Sequence, residues 1–483
     1  MIFHLIINLK RLQAFHQIVG VIYQLLMKLV KFFVGCNLLF SIVESIPFKE
    51  FVKSLNPNYH LPCRKTLSNT LLNKLHSKIS SEHTKINQSE GVIVIDGWKN
   101  SVANTKNVVC IIHTANEPSF FLNSWDFTLL SEDTQQLTKV IEEAVEIAKT
   151  NYNKTIYAVV SDNAPVMTAM GKAVNLWHAG CSSHHGNLLA KDHIDKSFAE
   201  SINTILRTFK ASNLGREIIE NGGTKIKMAC KTRWCSYRDA FRCCLKNLDI
   251  MKKIISNKLN NPSFTKSKKQ EKEKLITLND QIFDDSLITK LQNFIVLSDP
   301  VCSLINECQQ SNFTLPDAAE EWMKLNVPTD NEKIQEIVQK RIDKVLTRIL
   351  LAANLLHPGY QGKQFRHTDK YYSQAIEFIR NELNESYHEM EAYENKVGIF
   401  ESLLKKGNVP PKLFWQMAEN SYPVISQLAQ RLINIPSSSA QIERLFSNRS
   451  FVHSCLRNRL TPERSKKLID IYYTLKMSSG NSK

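Results

Sequence analysis

Between Gly91 and Leu130 the apolar residues gather in three short runs: VIVID over Val92 to Asp96, VVCIIHTA over Val108 to Ala115, and SFFLNSWDFTLL over Ser119 to Leu130. Their β-branched and aromatic side chains, separated by polar stretches, predict adjacent antiparallel strands. The period then changes. Leu137, Val140, Ile141, Ala144, Val145 and Ala148 recur every three or four residues, which predicts a helix with one apolar face from about Asp133 to Thr150. Asp133 suits its N-cap, and Gln136 follows three residues later. TIYAVV at Thr155 to Val160 reads as a fourth strand, Ala164 to Val174 as a short helix, and Leu176 to Ala179 as a fifth strand. Three strands, helix, strand, helix, strand is the order of a mixed α/β sheet.

From about Asn187 to Gln430 helical periodicity dominates. The last helix is marked by Thr461 as N-cap and Pro462 at its first position, with Leu468, Ile471, Tyr472 and Leu475 on one face. Ile425, Leu428, Ala429 and Leu432 make an earlier apolar face. At the other end, Met1 to about Val43 is rich in Ile, Leu, Val and Phe, but Lys10, Arg11, Lys28 and Lys31 interrupt it before a charge-free run of about 18 residues. It is expected as helix, with no membrane span, and no short apolar core with a small-residue cleavage site marks a signal peptide. The Lys-rich stretch Lys258 to Lys274 and the tail Ser478 to Lys483 are expected to be solvated. No solenoid repeat is found.

Composition narrows the function classes. With 483 residues, 43% hydrophobic and 22% charged, the chain has room for two or three folded domains and excludes disorder throughout. Lys and Arg number 62 against 46 Asp and Glu, a formal charge of +16, which suits a polyanionic partner such as DNA or RNA. The 11 cysteines are scattered, with only Cys243 and Cys244 adjacent, so neither a disulfide framework nor a CxxC zinc ribbon is indicated. A reducing, intracellular location follows as an expectation.

Two acids stand where strands present them. Asp96 ends the first apolar run and Asp162 directly follows the fourth. Carboxylates on neighbouring strands, joined by a third from a helix, can hold two divalent cations about 4 Å apart and act on a phosphodiester. Asp96-Gly97 and Asp162-Asn163 would equally serve to end a strand in a turn.

Six segments carry a resemblance in order and spacing. They are IDGWKN (Ile95 to Asn100), VVSDNAPVM (Val159 to Met167), CSSHHGNLLAKD (Cys181 to Asp192), TRW (Thr232 to Trp234), AANLLHPGYQG (Ala352 to Gly362) and IPSSSAQIERLFS (Ile435 to Ser447). Together they resemble the transposases of the hAT superfamily from about Leu29 to Leu475, the last segment belonging to that family's C-terminal dimerisation region. The resemblance implies an α/β chain in which an RNase H-like mixed sheet is interrupted by a large all-α insertion, with helical N-terminal and C-terminal segments. The expected divisions are an N-terminal helical segment (1–88), the first part of the core (89–245), the insertion (246–405), and a part that completes the core and dimerises (406–483).

The resemblance also assigns roles. Asp96 and Asp162 match the two catalytic aspartates and Glu443 the catalytic glutamate of a DDE-type DNA strand transferase, which would work with Mg²⁺ or Mn²⁺. Cys181 and His184 match the C-x-x-H pair near the active site, for which the resemblance implies a structural or DNA-facing role. Zinc is not expected there, since further ligands would have to come from His185, Asp192 or His193, which are candidates by nearness only. Arg233 and Trp234 match a DNA-contacting motif; Trp234 is read either as stacking near a transposon end or as core packing. A homodimer or higher oligomer, DNA as partner and a nuclear location are implied. At least one of the two C-terminal apolar faces is expected between subunits. The family usually carries a BED-type zinc finger, and no Cys-x-x-Cys followed by a His pair precedes Val30, so base-specific reading is not expected from this chain. The alternative function is a domesticated, non-catalytic protein that binds nucleic acid or dimerises.

Overall fold

A computed structural model describes residues 20–85, 90–100, 104–115, 118–192, 194–211, 213–230, 235–261, 269–444 and 461–480. It divides into two compact units, Met1–Ala179 with Asn434–Lys483, and Gly180–Ile433. The first unit is therefore assembled from both ends of the chain.

Its N-terminal part is helical: α1 over residues 20–35, α2 (Ile46–Leu55) and α3 (Leu72–Thr84). Met27, Val30 and Phe33 of α1 and Leu72, Leu75 and Ile79 of α3 share one core with Leu468, Ile471 and Tyr472 of the C-terminal helix, Pro462–Gly480. Thr461 caps that helix, its hydroxyl accepting from the Arg464 N–H at 3.3 Å.

The sheet has five strands, β1 (Glu90–Asn100), β2 (Thr105–His113), β3 (Phe120–Asp126), β4 (Thr155–Ser161) and β5 (Trp177–Gly180), in the order β3-β2-β1-β4-β5. β1 and β2 pair antiparallel, as do β2 and β3, whereas β4 runs parallel to β1. A parallel neighbour needs a crossover, and α4 (Thr134–Tyr152) supplies it. Asp133 accepts from the Gln136 N–H at 2.9 Å, and Asn153, left-handed at φ 52°, ends the helix. Leu137, Val140, Ile141, Ala144 and Ala148 lay its apolar face on Ile93, Ile95, Cys110, Ile112 and Val159 of the sheet. The predicted mixed α/β order is present, with α5 (Pro165–Ala173) between β4 and β5.

Some predicted boundaries move. β1 does not end at Asp96: it continues through Asn100 because Gly97 to Asn100 pairs with Thr105 to Val108, a polar extension of the hairpin that lacks an apolar pattern to announce it. β3 stops at Asp126, and Leu129 beyond it is 96% exposed. Where it is described, the Lys-rich stretch is largely exposed, at Lys269, Gln270, Glu273 and Lys274, as the first turns of the helix Lys269–Ile282, and the C-terminal helix runs on to Gly480.

The second unit is helical among its described residues beyond β5. α6 (Ser182–Asp192) opens it, followed among others by α7 (Ser236–Leu259), α8 (Ser286–Cys308), α9 (Glu332–Val345), α10 (Arg348–Leu355), α11 (Pro411–Ala418) and α12 (Pro423–Ile433). The AANLLHPGYQG segment is core and anchor: Asn354 is fully buried, donating to the Pro316 carbonyl at 3.1 Å and to Glu320 at 3.2 Å, and Tyr360 donates to Asp317 at 2.8 Å.

Both C-terminal apolar faces are already covered within the chain. Ile425, Leu428, Ala429 and Leu432 are each 5% exposed or less, and Leu468, Ile471 and Tyr472 each 7% or less. The expectation that one of them lies between subunits is thereby corrected: amphipathic spacing shows that a face is buried, not which chain buries it.

Candidate active site on the central strands

β1 and β4 set the position of the two aspartates. Val94 pairs with Val160 across the parallel ladder, and Asp96 and Asp162 each stand two residues further along. Because side chains alternate across a strand, Asp96 lies on the face of Val92 and Val94, and Asp162 continues the alternation of Ala158 and Val160. Ile93, Ile95 and Val159 point the other way, into the core under α4. The two aspartates thus fall on one side of the sheet, on strands about 4.8 Å apart.

Local bonds hold each one. Asp96 is 6% exposed inside β1, opposite Val109 of β2, and its carboxylate accepts from the Gly97 N–H at 2.7 Å. Asp162 is half-buried just past the end of β4, and its carboxylate accepts from the Ala164 N–H at 3.1 Å, the Asx turn that leads into α5. The strand-ending turn is therefore what Asp162 makes and what Asp96 does not.

A histidine that sequence reading passed over supports Asp162 from behind. His178 of β5 lies 2.8 Å from the Ser161 hydroxyl through Nε2, and that hydroxyl lies 2.9 Å from the Asp162 carbonyl oxygen. Since a hydroxyl has one proton, Ser161 donating to Asp162 leaves its oxygen to accept from the His178 Nε2–H. Burial lowers the His178 pKa below the ordinary histidine value and keeps the ring neutral. The ring sits where only glycine leaves room, because a Cβ at Gly171 of α5 would come within 2.2 Å of it. The available signal was a small residue in α5 followed by a lone histidine in a short strand, which is too common to single out.

Glu443 lies in the helical turn 440–444, half-buried beside the fully buried Ile442. Gln441 of that turn meets the Tyr473 hydroxyl at 3.3 Å, and the Asn434 backbone bonds to His113 at the end of β2. His113 pairs with Val92, so the segment leading to Glu443 is tied to the sheet near the start of β1. Among the described residues no three His, Cys, Asp or Glu side chains form a group that could hold a metal ion. The ladder register thus brings Asp96 and Asp162 to the same side of the sheet.

Cys181 and His184 stand at the start of α6. Cys181 is fully buried, its sulfur 3.1 Å from the Ser183 hydroxyl, and His184 is half-buried. Of the neighbours weighed as zinc ligands, Asp192 forms an ion pair with Arg341 of α9. His185 is pushed down to about 3 by burial and by the Arg341 charge. His193, Arg233 and Trp234 lie outside the described residues.

No curated protein matches the chain in sequence. A family model does: that of the hAT family C-terminal dimerisation region, over residues 389–475, from the start of the helix His388–Glu394 to Leu475 in the C-terminal helix. No helix among the described residues is long and apolar enough to cross a membrane. Over this C-terminal region the chain is similar to the part of the hAT family that its model describes as a dimerisation region.

Proposed function

We propose that the chain is a hAT transposase-like strand transferase whose core is RNase H-like and whose working carboxylates are Asp96 and Asp162, with Glu443 as the third acid. The observation that carries this reading is the alignment of Asp96 and Asp162 on one side of two parallel central strands, two residues beyond the Val94–Val160 pair. The sheet order β3-β2-β1-β4-β5, with β2 antiparallel and β4 parallel to the central β1, supports an RNase H-like core.

Two carboxylates from adjacent strands fit an oxygen-seeking cation that keeps several waters and takes the rest of its ligands from substrate phosphate. Asp96 and Asp162 would hold it, and when bound it would supply charge stabilisation at the scissile phosphate. The chain's own contribution is placement. The β1 ladder fixes Asp96, the Asx turn fixes Asp162, and the His178–Ser161 pair fixes the backbone from which Asp162 projects. Glu443 would come from the short helical turn 440–444 that follows the segment tied to the sheet at His113.

Cleavage tests this. The full chain is incubated with duplexes ending in the element's own termini, with Mg²⁺, Mn²⁺ or EDTA, beside Asp96→Asn and Asp162→Asn. Metal-dependent cleavage lost by about 100-fold or more in both variants is expected, since each removes a charged ligand of the reacting centre. Cleavage that survives either substitution would overturn the assignment.

A second reading rests on the formal charge of +16 and on the match to a dimerisation region at residues 389–475. In it the protein binds nucleic acid and dimerises without cutting, as a nuclear, domesticated relative of an enzyme. DNA binding with no cleavage by wild type in either metal would favour it.

A further inference from the structure

Within the helical unit, Cys235 and Cys302 meet although they are 67 residues apart in sequence. Cys235 is the residue before the first turn of α7, and Cys302 lies in α8 two residues after Pro300, the proline inside that helix. The Cys235 sulfur is 3.9 Å from the Cys302 carbonyl oxygen, and both residues line one small cleft. Cys235 is held at φ 57°, ψ 2°, a left-handed conformation that a non-glycine residue adopts at a cost. Its placement is set by the surrounding structure rather than by its own preference.

Access to the pair is one-sided. Cys302 is 1% exposed and Cys235 is half-buried. Both line a small cleft of about 20 Å³, along with Asn187, Lys191, Arg238 and Ser298. That space admits a molecule little larger than water. Its rim carries cations, and Arg238 is 15% exposed beside the thiols. The Cys302 contact, followed by the Arg238 charge, lowers the Cys235 pKa below that of an ordinary thiol, while the same contact and burial raise that of Cys302. This is the polarity of an attacking thiolate backed by a resolving thiol.

The other neighbouring cysteines lack it. Cys181 and Cys308 also sense each other, but both are fully buried and burial holds the Cys308 thiol up. Cys243 and Cys244 are buried on α7, and burial pushes Cys244 up to about 12. Cys230 is exposed, and its backbone is bonded to the Ser236 hydroxyl.

We propose that Cys235 and Cys302 are a peroxide-sensitive dithiol that closes reversibly into a disulfide, clasping the start of α7 to α8. The Cys235 thiolate attacks one oxygen of hydrogen peroxide, the O–O bond breaks, and the departing hydroxide takes a proton to become water. Cys235 is left as a sulfenic acid. The Cys302 sulfur then displaces the sulfenic hydroxyl, which leaves as a second water with the Cys302 proton. Two thiols are oxidised by two electrons, and one peroxide is reduced to two waters.

The test uses the full chain, reduced, desalted without air and titrated with hydrogen peroxide from sub-stoichiometric amounts. Digestion under non-reducing conditions and mass spectrometry read the linkage. The expected result is loss of two titratable thiols and a Cys235–Cys302 linked peptide as the first cross-link, reversed by dithiothreitol. In Cys302→Ser the link is lost and Cys235 becomes trappable by dimedone as sulfenic acid. In Cys235→Ser, Cys302 stays unmodified at the same peroxide dose. A first link between Cys230 and Cys235, a first link between Cys181 and Cys308, or Cys235 over-oxidised in wild type with no partner would each overturn the proposal. The wild-type linkage decides it without the variants, should a serine substitution unfold the unit.

Discussion

Val94 faces Val160 where β1 and β4 run parallel, and each strand places an aspartate at the same distance beyond that pair. The relation is one of register, so it is sensitive to anything that shifts one strand against the other. A bulge between Gly91 and Val92 already separates the early ladder, where Gly91 pairs with Ile156, from the later one, where Val92 pairs with Ala158. Without that one-residue slip, Asp162 would stand one place out of step with Asp96 and on the opposite face.

The support behind Asp162 gives the first prediction. Gly171→Ala puts a methyl carbon within 2.2 Å of the His178 ring, which must move and loosen its bond to Ser161. The expected cost is about 1–3 kcal/mol of stability, as for overpacking elsewhere, read as a lower melting temperature. His178→Phe should also remove the bond to Ser161 while leaving Asp96 untouched. If both variants melt like wild type, the ring does not brace β4.

Acid should destabilise the sheet unit. His113, at the end of β2, is pushed down to about 4 by burial, against about 6.5 for an unfolded histidine. Between those values the unfolded chain binds the proton and the folded chain does not, so stability falls as pH drops from about 6.5 toward 4. His185 in the helical unit, held at about 3, adds the same sign over a wider range. Denaturant midpoints across this window should fall by the equivalent of about 2–3 kcal/mol from His113, and His113→Asn should flatten the curve. A midpoint that rises on acidification would contradict the neutral state of these rings.

Self-association should depend on surface that the monomer leaves open. Leu413 and Met417, four residues apart on α11 and 46% and 41% exposed, lie in the matched dimerisation region. Leu413→Asp with Met417→Asp should shift light scattering toward monomer with little change in melting temperature. Leu468→Asp should instead unfold the N-terminal helices, since Leu468 is 2% exposed in their core and a buried unpaired charge costs several kcal/mol. A dimer indifferent to the α11 pair would place the contact elsewhere.

DNA binding, if the charge of +16 is its source, should be tolerant of sequence and steeply weakened by salt. Affinities for unrelated duplexes are expected to agree within a few fold, with a linear fall of log K against log salt. A strong preference for one duplex would show that some segment reads bases.

Much of this architecture was legible in the chain. The change from strand runs to the helical period at Leu137 gave α4, Asp133 gave its cap, and Asp162 was correctly placed at a strand end. Asp96 was misread as a strand end for a physical reason. The pairing that carries β1 through Asn100 is made by Trp98, Lys99 and Asn100 against Thr105, Lys106 and Asn107, where backbone bonds extend the hairpin without an apolar face. His178 was missed because its meaning depends on Gly171 and Ser161, brought beside it only by the fold. The C-terminal apolar faces were read as buried, which they are, but periodicity is blind to whether the covering helix comes from the same chain. Here it comes from α1 and α3, about four hundred residues upstream of Leu468.

That last pairing has a consequence during synthesis. A ribosome releases α1, α3 and the sheet long before Leu468, Ile471 and Tyr472 exist to cover Met27, Val30 and Phe33, and the whole of Gly180–Ile433 emerges in between. The helical unit has its own core and can condense on the way, whereas the sheet unit must wait with apolar side chains uncovered. A nascent or prematurely terminated chain is therefore a client for chaperones at its beginning rather than at its broken end.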